Sequence, residues 1–139
     1  MIRKISNEEH YLFADDPVRP HIESSFRILQ PNETFVYSSD NKTIEAVVCV
    51  AYNDLVPSNE EELKKTGSSV ATFYTVWSYK KGAGTEILFN ALRHIKENKP
   101  MVKRFVTLSP CTEMATRFHL KNGATLLNKY EEFQNFEYK

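Results

Sequence analysis

The sequence lacks the features that define several large classes of protein. Its 139 residues carry 18 Lys and Arg against 18 Asp and Glu, so the formal net charge is zero. Because a nucleic-acid-binding domain normally carries a basic surplus, nucleic acid is not an expected partner. No apolar run approaches the roughly 20 residues of a membrane span, and the opening stretch MIRKISNEEHYLF has no uninterrupted apolar signal segment. We therefore expect a cytoplasmic protein without a membrane partner.

Cysteine and histidine are too scattered to predict a metal site. The two cysteines, Cys49 and Cys111, form neither a paired metal motif nor a disulfide framework, so both are predicted to be free thiols. Cys49 lies in the apolar run EAVVCVAY and is predicted to be buried. Cys111 follows Ser109 and Pro110 at a predicted helix start, where a helix dipole can favour a thiolate. No ligand spacing connects the four histidines, which are His10, His21, His94 and His119.

The sequence has no internal repeat and no linker rich in Pro, Gly or Ser, so we expect one domain over residues 1–139. Residues 8–30 contain DDPVRP, whose two prolines forbid a long helix and predict short helices joined by a bend. This segment is called the N-terminal arm. Residues 34–38 and 43–52 flank the turn-rich stretch SDNK, and the alternate positions Ile44, Ala46, Val48 and Val50 place apolar groups on one face. This pattern predicts a β-hairpin.

The second half of the chain alternates strands and helices. The uncharged stretch SSVATFYTVW predicts a central strand. An amphipathic helix follows KKGAG and ends near Asn98, and its apolar stripe consists of Ile87, Leu88, Ala91, Leu92 and Ile95. Another strand is predicted over residues 102–108. Ser109 and Pro110 are then predicted to cap and begin a second helix, which residues 122–123 close, before two final strands.

The turn KKGAG before the first long helix is the strongest candidate for a binding site. A strand that enters a glycine-containing turn and then a helix directs backbone N–H groups and the positive end of the helix dipole into one spot, which suits a phosphate. Gly82 and Gly84 would allow close approach of a pyrophosphate, and Lys80 and Lys81 would add charge at the rim. An ordinary tight turn with solvated lysines is the alternative. The glycines fit neither the dinucleotide fingerprint nor the nucleoside-triphosphate loop.

Two stretches of the sequence resemble motifs of the GNAT acetyltransferases. VWSYKKGAGTEILFNAL resembles the acetyl-CoA-binding motif R/Q-x-x-G-x-G/A with its leucine-rich helix. TEMATRFHLKNGATLL is similar to the downstream stretch N-x-x-A-x-x-F-Y-x-K-x-G-F. Together they cover residues 68–130 in the order and separation of the family.

The resemblance implies a three-layer α/β/α fold of the α+β class. Its mixed, mostly antiparallel sheet would splay open between two central strands and hold acetyl-coenzyme A in the split. The pantetheine arm would pair with backbone at Thr75, Val76 and Trp77, while Thr112 and Phe118 would border the cofactor. The pyrophosphate would bind N–H groups of Lys81, Gly82, Ala83, Gly84 and Thr85.

The sequence departs from the family pattern at three positions. Tyr79 occupies the usual Arg or Gln position, and Ala124 replaces an aromatic residue. His119 aligns with the Tyr that many members use to protonate the leaving coenzyme A thiolate, and an imidazole of ordinary pKa is acidic enough for that role. The alternative for His119 is simple packing beside Phe118 on the helix.

By family similarity, the N-terminal arm would help to form the pocket for the second substrate, a small-molecule or peptide amine. Its polar residues are Asp15, Asp16, Arg19, His21 and Glu23. Glu23 and Glu45 are candidate bases for the amine. The predicted function is therefore N-acetyl transfer from acetyl-CoA by direct amine attack. The alternatives are an acyl-CoA-binding sensor without turnover and an interaction module displaying the aromatic C-terminus, and a homodimer is one possible assembly.

Overall fold

A mixed eight-stranded β-sheet forms the centre of the computed structural model, which describes all 139 residues. The strands are β1 Ile2–Lys4, β2 Glu33–Tyr37, β3 Ala46–Asn53, β4 Val70–Ser78, β5 Arg104–Thr107, β6 Ser109–Pro110, β7 Thr125–Lys129 and β8 Phe133–Tyr138. They follow the spatial order β1-β2-β3-β4-β5-β8-β6, and β7 pairs with β8. Only β4 and β5 run parallel, so the predicted mixed, mostly antiparallel sheet is confirmed.

Helices cover both faces of the sheet. Alternate residues of β3 belong to two different apolar clusters, because successive strand side chains point to opposite faces. One cluster contains the apolar stripe of the long helix Ala83–Asn98, and the other contains Leu12 and Phe13 of the N-terminal arm. The predicted three-layer arrangement is therefore confirmed. The helices are a 3₁₀ helix Asn7–Asp15, α1 Ser24–Ile28, α2 Glu60–Leu63, α3 Ala83–Asn98 and α4 Glu113–Lys121.

The predicted hairpin and first long helix are both present. β2 pairs with β3 from Glu33 opposite Val50 to Tyr37 opposite Ala46. All eight residues of β3 are buried, because α3 covers one face of this strand and the N-terminal arm covers the other. The aromatic C-terminus packs inward: Phe136 and Tyr138 of β8 belong to the same apolar cluster as α3. These two aromatic residues therefore stabilise the core instead of presenting an exposed interaction surface.

The predicted start of the second helix is wrong. Ser109 and Pro110 form β6, which pairs with β8, and α4 begins only at Glu113. The N-cap is Thr112, whose Oγ1 accepts a hydrogen bond from Ala115 N at 3.2 Å. Ser109 and Pro110 have the residue types of a helix start, and the prediction rested on this local signal. Their pairing with β8, a distant segment, determines their conformation instead.

Candidate functional site

The sheet opens between β4 and β5. The two strands pair only from Val70 opposite Arg104 to Phe73 opposite Thr107. Leu108 N donates to Phe73 O at 3.2 Å at the end of this ladder. β4 then continues to Ser78 with β3 as its only neighbour. The segment after β5 turns away as β6, which pairs with β8. The free edge of β4 thus carries backbone groups that an extended ligand can meet.

A cleft of about 330 Å³ occupies this opening. No Asp, Glu, Lys or Arg side chain lines it, and hydrophobic residues form more than half of its wall. Most of the predicted site residues line this cleft. They are Thr75, Val76, Trp77, Gly84, Thr112, Phe118 and His119. Lys81, Gly82, Ala83 and Thr85 do not line the cleft; they form the turn and first helical residues at its end.

The turn before α3 depends on the glycine at its N-cap. Gly82 has φ +86°, a left-handed conformation that side-chain-bearing residues rarely adopt. A Cβ at this position would meet no atom within 4 Å. Glycine is therefore favoured here by the backbone conformation and not by a lack of space for a side chain. No side chain caps the helix at Gly82. The first turn of α3 therefore keeps its N–H groups clear of any capping side chain.

Most of the amides predicted to bind a diphosphate have no partner within the chain. Ala83 N donates to Lys80 O at 3.1 Å and is occupied. The other N–H groups of residues 81–85 make no backbone hydrogen bond. They lie at the positive end of a 16-residue helix, which favours an anion. Four donors are thus available beside the cleft.

Gly84 lies where the turn meets the cleft. A Cβ built on Gly84 would lie 3.6 Å from Phe118 Cε1 and 3.9 Å from Ser78 Oγ, and all three residues line the cleft. A β-carbon at position 84 would therefore project into the cleft at ordinary contact distances. Glycine inside a helix lowers its stability by about 0.5–1 kcal/mol relative to alanine. A glycine at position 84 therefore keeps the cleft open at the expense of helix stability.

His119 is buried in the wall of the cleft. Its Nδ1 lies 2.6 Å from the hydroxyl of Tyr138, and its ring stacks on Phe136 at a centroid distance of 5.2 Å. Burial lowers the pKa of His119 from 6.5 to about 4. The imidazole is therefore neutral at neutral pH, unlike the imidazole of ordinary pKa on which the sequence prediction was based.

The lowered pKa of His119 predicts a loss of stability in mild acid. Because folding favours the neutral imidazole, its contribution is present above pH 6.5 and is lost as the pH falls towards 4. We expect the free energy of unfolding to fall by about 2 kcal/mol between pH 7 and pH 5 through this group. Urea titrations should show this slope in the native sequence and a flatter profile in His119→Phe. Equal slopes in both proteins would contradict the burial of a neutral His119.

A β-bulge shapes the floor of the cleft. Cys49 of β3 lies opposite Thr75 and Val50 lies opposite Phe73, so Tyr74 is an extra residue in β4. Arg19 of the N-terminal arm donates from Nη1 to the carbonyl oxygen of Tyr74. The guanidinium of Arg19 is fully buried, and its Nη2 has no partner. The arm therefore holds the bulged strand through one buried cation.

A second buried cation anchors the arm itself. Arg27 Nη1 donates to Asp16 Oδ2 at 2.8 Å, and both side chains are fully buried. Asp16 Oδ1 also accepts the backbone N–H of Arg19 at 2.8 Å, and Arg27 Nη2 donates to Arg19 O at 2.7 Å. Asp16 and Arg27 thus fix the position of Arg19 at the bulge.

The carboxylates predicted as candidate bases lie outside the cleft. Glu45 accepts from the Ser39 hydroxyl at 2.6 Å, and Glu23 is exposed beside Ser25. Of the arm, only Val18 lines the cleft.

Asp15 is connected to the cleft through two hydrogen bonds. Its Oδ2 accepts the hydroxyl of Tyr79 at 2.7 Å, and that hydroxyl accepts the indole N–H of Trp77 at 3.0 Å. Burial is the largest cause that raises the pKa of Tyr79 to about 12, and the hydrogen bond to Asp15 adds to it. Tyr79, which departs from the family pattern, therefore joins the arm to the end of β4.

Several residues of the cleft were missed by the sequence analysis. Val18 has no signal in its local sequence, because the chain folds back over about 55 residues to place it beside β4. Ser109 and Met114 were assigned to a helix and not to a cleft wall. Cys111 is exposed next to this wall and has its Sγ 3.5 Å from Tyr130 O, while Cys49 is buried as predicted. No disulfide joins them.

No three His, Cys, Asp or Glu side chains lie close enough together to hold a metal ion. None of the helices combines the length and the apolar character that crossing a membrane requires.

Comparisons with solved structures identify the fold. The chain superposes on the PaiA N-acetyltransferase from Thermoplasma acidophilum in complex with coenzyme A with a TM-score of 0.69 and 13% identity, covering 100% of this chain and 98% of that chain. It matches the SpeG spermidine N-acetyltransferase from Vibrio cholerae with a TM-score of 0.65 and 10% identity, covering 99% and 92%. No protein-family model and no curated protein sequence matches. The chain therefore has the fold of the GNAT N-acetyltransferases.

A second group of similar structures consists of larger proteins. A malonyl-CoA decarboxylase from Agrobacterium vitis gives a TM-score of 0.69 at 16% identity, with 85% of this chain covered. The match covers only 35% of the decarboxylase, so this chain spans about a third of that protein. At these identities the likeness concerns the fold alone.

Proposed function

We propose that this protein is an acetyl-CoA-dependent N-acetyltransferase that acts by direct amine attack in a ternary complex. The observation that carries the proposal is the juxtaposition of an open sheet edge with four unpaired amides at the start of α3. An extended thiol arm suits the edge, and a diphosphate suits the amides. The GNAT N-acetyltransferases with the same fold, one of them holding coenzyme A, support this assignment.

In the proposed complex, the cofactor would follow the free edge of β4 into the cleft. The pantetheine arm would pair with backbone of residues 75–77, and the diphosphate would bind the unpaired amides of Lys81, Gly82, Gly84 and Thr85. Phe118 of α4 and Thr112 at its N-cap would border the cofactor. The thioester would then lie near the floor of the cleft, between the bulge of β4 and His119.

The proposed chemistry needs no protein nucleophile. A neutral amine forms the new C–N bond at the thioester carbonyl, and a backbone N–H near Val76 stabilises the developing oxyanion. The C–S bond then breaks, and the sulfur carries away the electron pair as a thiolate next to His119. Holding both substrates together supplies much of the acceleration. The amine loses one proton during the reaction; we propose that this proton passes into solvent beside Tyr79 and Asp15 and that solvent returns one proton to the thiolate.

Replacing His119 with Phe should slow turnover and leave cofactor binding in place. The ring volume and the contact with Phe136 are largely kept, but the nitrogen beside the departing sulfur is removed. We expect kcat to fall about 100-fold, as for the loss of one preorganised donor. Initial rates at saturating amine and the affinity for coenzyme A measure the two effects. His94→Phe is the control, because His94 packs against Phe35 and does not line the cleft. An unchanged kcat in His119→Phe would remove this role.

A pooled amine library with acetyl-CoA, read by release of free thiol, tests the proposed function directly. We expect thiol release with a subset of amines and acetylated products by mass spectrometry. Malonyl-CoA belongs in the same assay with CO₂ as the readout, because decarboxylases of that thioester share the fold.

The alternative function is acyl-CoA binding without turnover. The observation that favours it is the uncharged lining of the cleft, which holds no carboxylate to accept a proton from the amine. Thermal stabilisation by acetyl-CoA with no thiol release over the whole library would support a binding module. Thiol release with any amine would reject it.

A further inference from the structure

His119 has one hydrogen-bond partner, and that partner comes from a different part of the fold. His119 lies in α4, and Tyr138 is the last residue of β8. The two residues are 19 positions apart in sequence. The Tyr138 hydroxyl lies 2.6 Å from His119 Nδ1, a short and strong contact. Both side chains are buried, with 6% and 5% exposed. The Nδ1–hydroxyl contact is therefore largely shielded from water.

The hydrogen-bonding capacity of the two groups determines the direction of the contact. A neutral imidazole has one N–H donor and one acceptor nitrogen, and a phenol has one O–H donor. If His119 Nδ1 carried the proton, the hydroxyl hydrogen of Tyr138 would be left without an acceptor in a buried site, which costs about 1–3 kcal/mol. If Tyr138 donates to Nδ1, every buried donor of the pair is satisfied. The second arrangement places the imidazole proton on Nε2.

The Nε2 atom of His119 is free and touches solvent. It makes no hydrogen bond within the chain. The buried side-chain atoms that have no partner belong to Arg19, Tyr74 and Thr75, and His119 Nε2 is not one of them. Because His119 lines the cleft and Tyr138 does not, the accessible nitrogen is on the cleft side of the ring.

We propose that Tyr138 is a positioning residue that fixes His119 as the Nε2–H tautomer and so presents a hydrogen-bond donor to the departing sulfur. This inference rests on the proposed acetyl transfer. As the C–S bond breaks, the sulfur takes the electron pair, and the Nε2–H bond of His119 stabilises the thiolate without giving up its proton. The proton that completes the thiol comes through solvent from the nitrogen of the attacking amine. Tyr138 keeps its own proton throughout.

The tautomer is measured by ¹⁵N NMR of the histidine side chains in the free protein. The signals of His119 are those absent from the spectrum of His119→Phe. We expect a protonated Nε2 and an unprotonated Nδ1 at pH 7 in the native sequence. Tyr138→Phe keeps the ring in the core but removes the hydroxyl, so we expect a mixture of both tautomers. A protonated Nδ1 in the native sequence would overturn the proposal.

Kinetics test whether the tautomer matters for turnover. Removing the hydroxyl leaves both tautomers populated and releases the ring from its fixed orientation, so we expect Tyr138→Phe to lower kcat by a factor of about 2–10 with little change in KM for acetyl-CoA; a fixed wrong tautomer would cost far more. Tyr130→Phe is the control, because Tyr130 is exposed and does not line the cleft. In His119→Phe, the added Tyr138→Phe change should have no further effect on kcat. An unchanged kcat in Tyr138→Phe, or two fully independent effects, would overturn the proposal.

Failure of the proposed function is distinguishable from failure of this inference. If the protein binds coenzyme A but acetylates no amine, acetyl transfer is rejected, and the role of Tyr138 in that reaction is rejected with it. If the protein is active and the native tautomer is Nδ1–H, the function stands and only the role of Tyr138 is lost. Thermal melting of Tyr138→Phe confirms that the variant is folded before either conclusion is drawn.

Discussion

Replacing Gly84 with Val will weaken binding of coenzyme A by about 100-fold or more while the protein stays folded. The Cβ at this position points at Phe118 and Ser78, which line the cleft, and the two γ-methyl groups extend further into it. The ligand would then lose hydrogen bonds to at least two amides of the turn. Charge-assisted hydrogen bonds contribute about 1.5–3 kcal/mol each, so two of them correspond to a factor of about 100 or more.

The folded state should tolerate this change. The backbone of Gly84 is not in the left-handed region, and the nearest atoms to a built Cβ lie at ordinary contact distances. Isothermal titration with coenzyme A measures the affinity, and thermal melting measures the stability. Glu86→Val is the matched control, since Glu86 is in the same first turn but is exposed and does not line the cleft. Equal affinities in both variants would contradict a diphosphate site at this turn.

Replacing Asp16 with Ala will destabilise the protein by about 3–5 kcal/mol. The change leaves the guanidinium of Arg27 fully buried without its counter-charge, and breaking a buried ion pair by removing one partner costs about this amount. It also releases the N–H of Arg19, which positions the bulge of β4. Urea unfolding with an unchanged m-value gives the loss of free energy.

A double variant separates the buried charge from simple loss of packing. Asp16→Ala combined with Arg27→Met removes both charges and keeps an apolar side chain against Phe13, on which the guanidinium lies at 5.0 Å. We expect the double variant to be more stable than Asp16→Ala alone, since no unpaired charge stays buried. A loss below about 1 kcal/mol in Asp16→Ala, or a double variant less stable than the single one, would contradict the importance of this pair.

Elements with strong local signals were predictable from the sequence. The apolar stripe of α3 specifies both the helix and its buried face, and the glycine-containing turn before it specifies an open N-terminus. The apolar residues at alternate positions 44–50 and the turn-rich stretch before them specify the hairpin. In these segments the pattern of nearby residues and the tertiary structure favour the same conformation, which is why prediction succeeded.

Elements that depend on distant partners were not predictable. Ser109 and Pro110 have the local chemistry of a helix start, but β8, more than 20 residues away, pairs with them as a strand. The bulge at Tyr74 leaves no mark in SSVATFYTVW, because its partner Arg19 is 55 positions earlier. A run of uncharged residues indicates burial and cannot show where an extra residue interrupts the ladder.

The chemical state of the candidate site also required the structure. The sequence identified His119 as the residue in the position of the family's tyrosine. It could not show that burial lowers the pKa to about 4 or that Tyr138 is bonded to Nδ1. The N-terminal arm was expected to contribute charged groups to the second-substrate pocket, but Asp16 and Arg19 are buried in a structural network, and Val18 is the arm residue that lines the cleft.

Calorimetric titration with coenzyme A and with pantetheine, which lacks the diphosphate, tests the central claim most directly. If the unpaired amides of residues 81–85 bind the diphosphate, coenzyme A will bind at least about 100-fold more tightly than pantetheine. Equal affinities for the two compounds, or no heat with either, would show that the turn before α3 does not hold a diphosphate and would contradict the account.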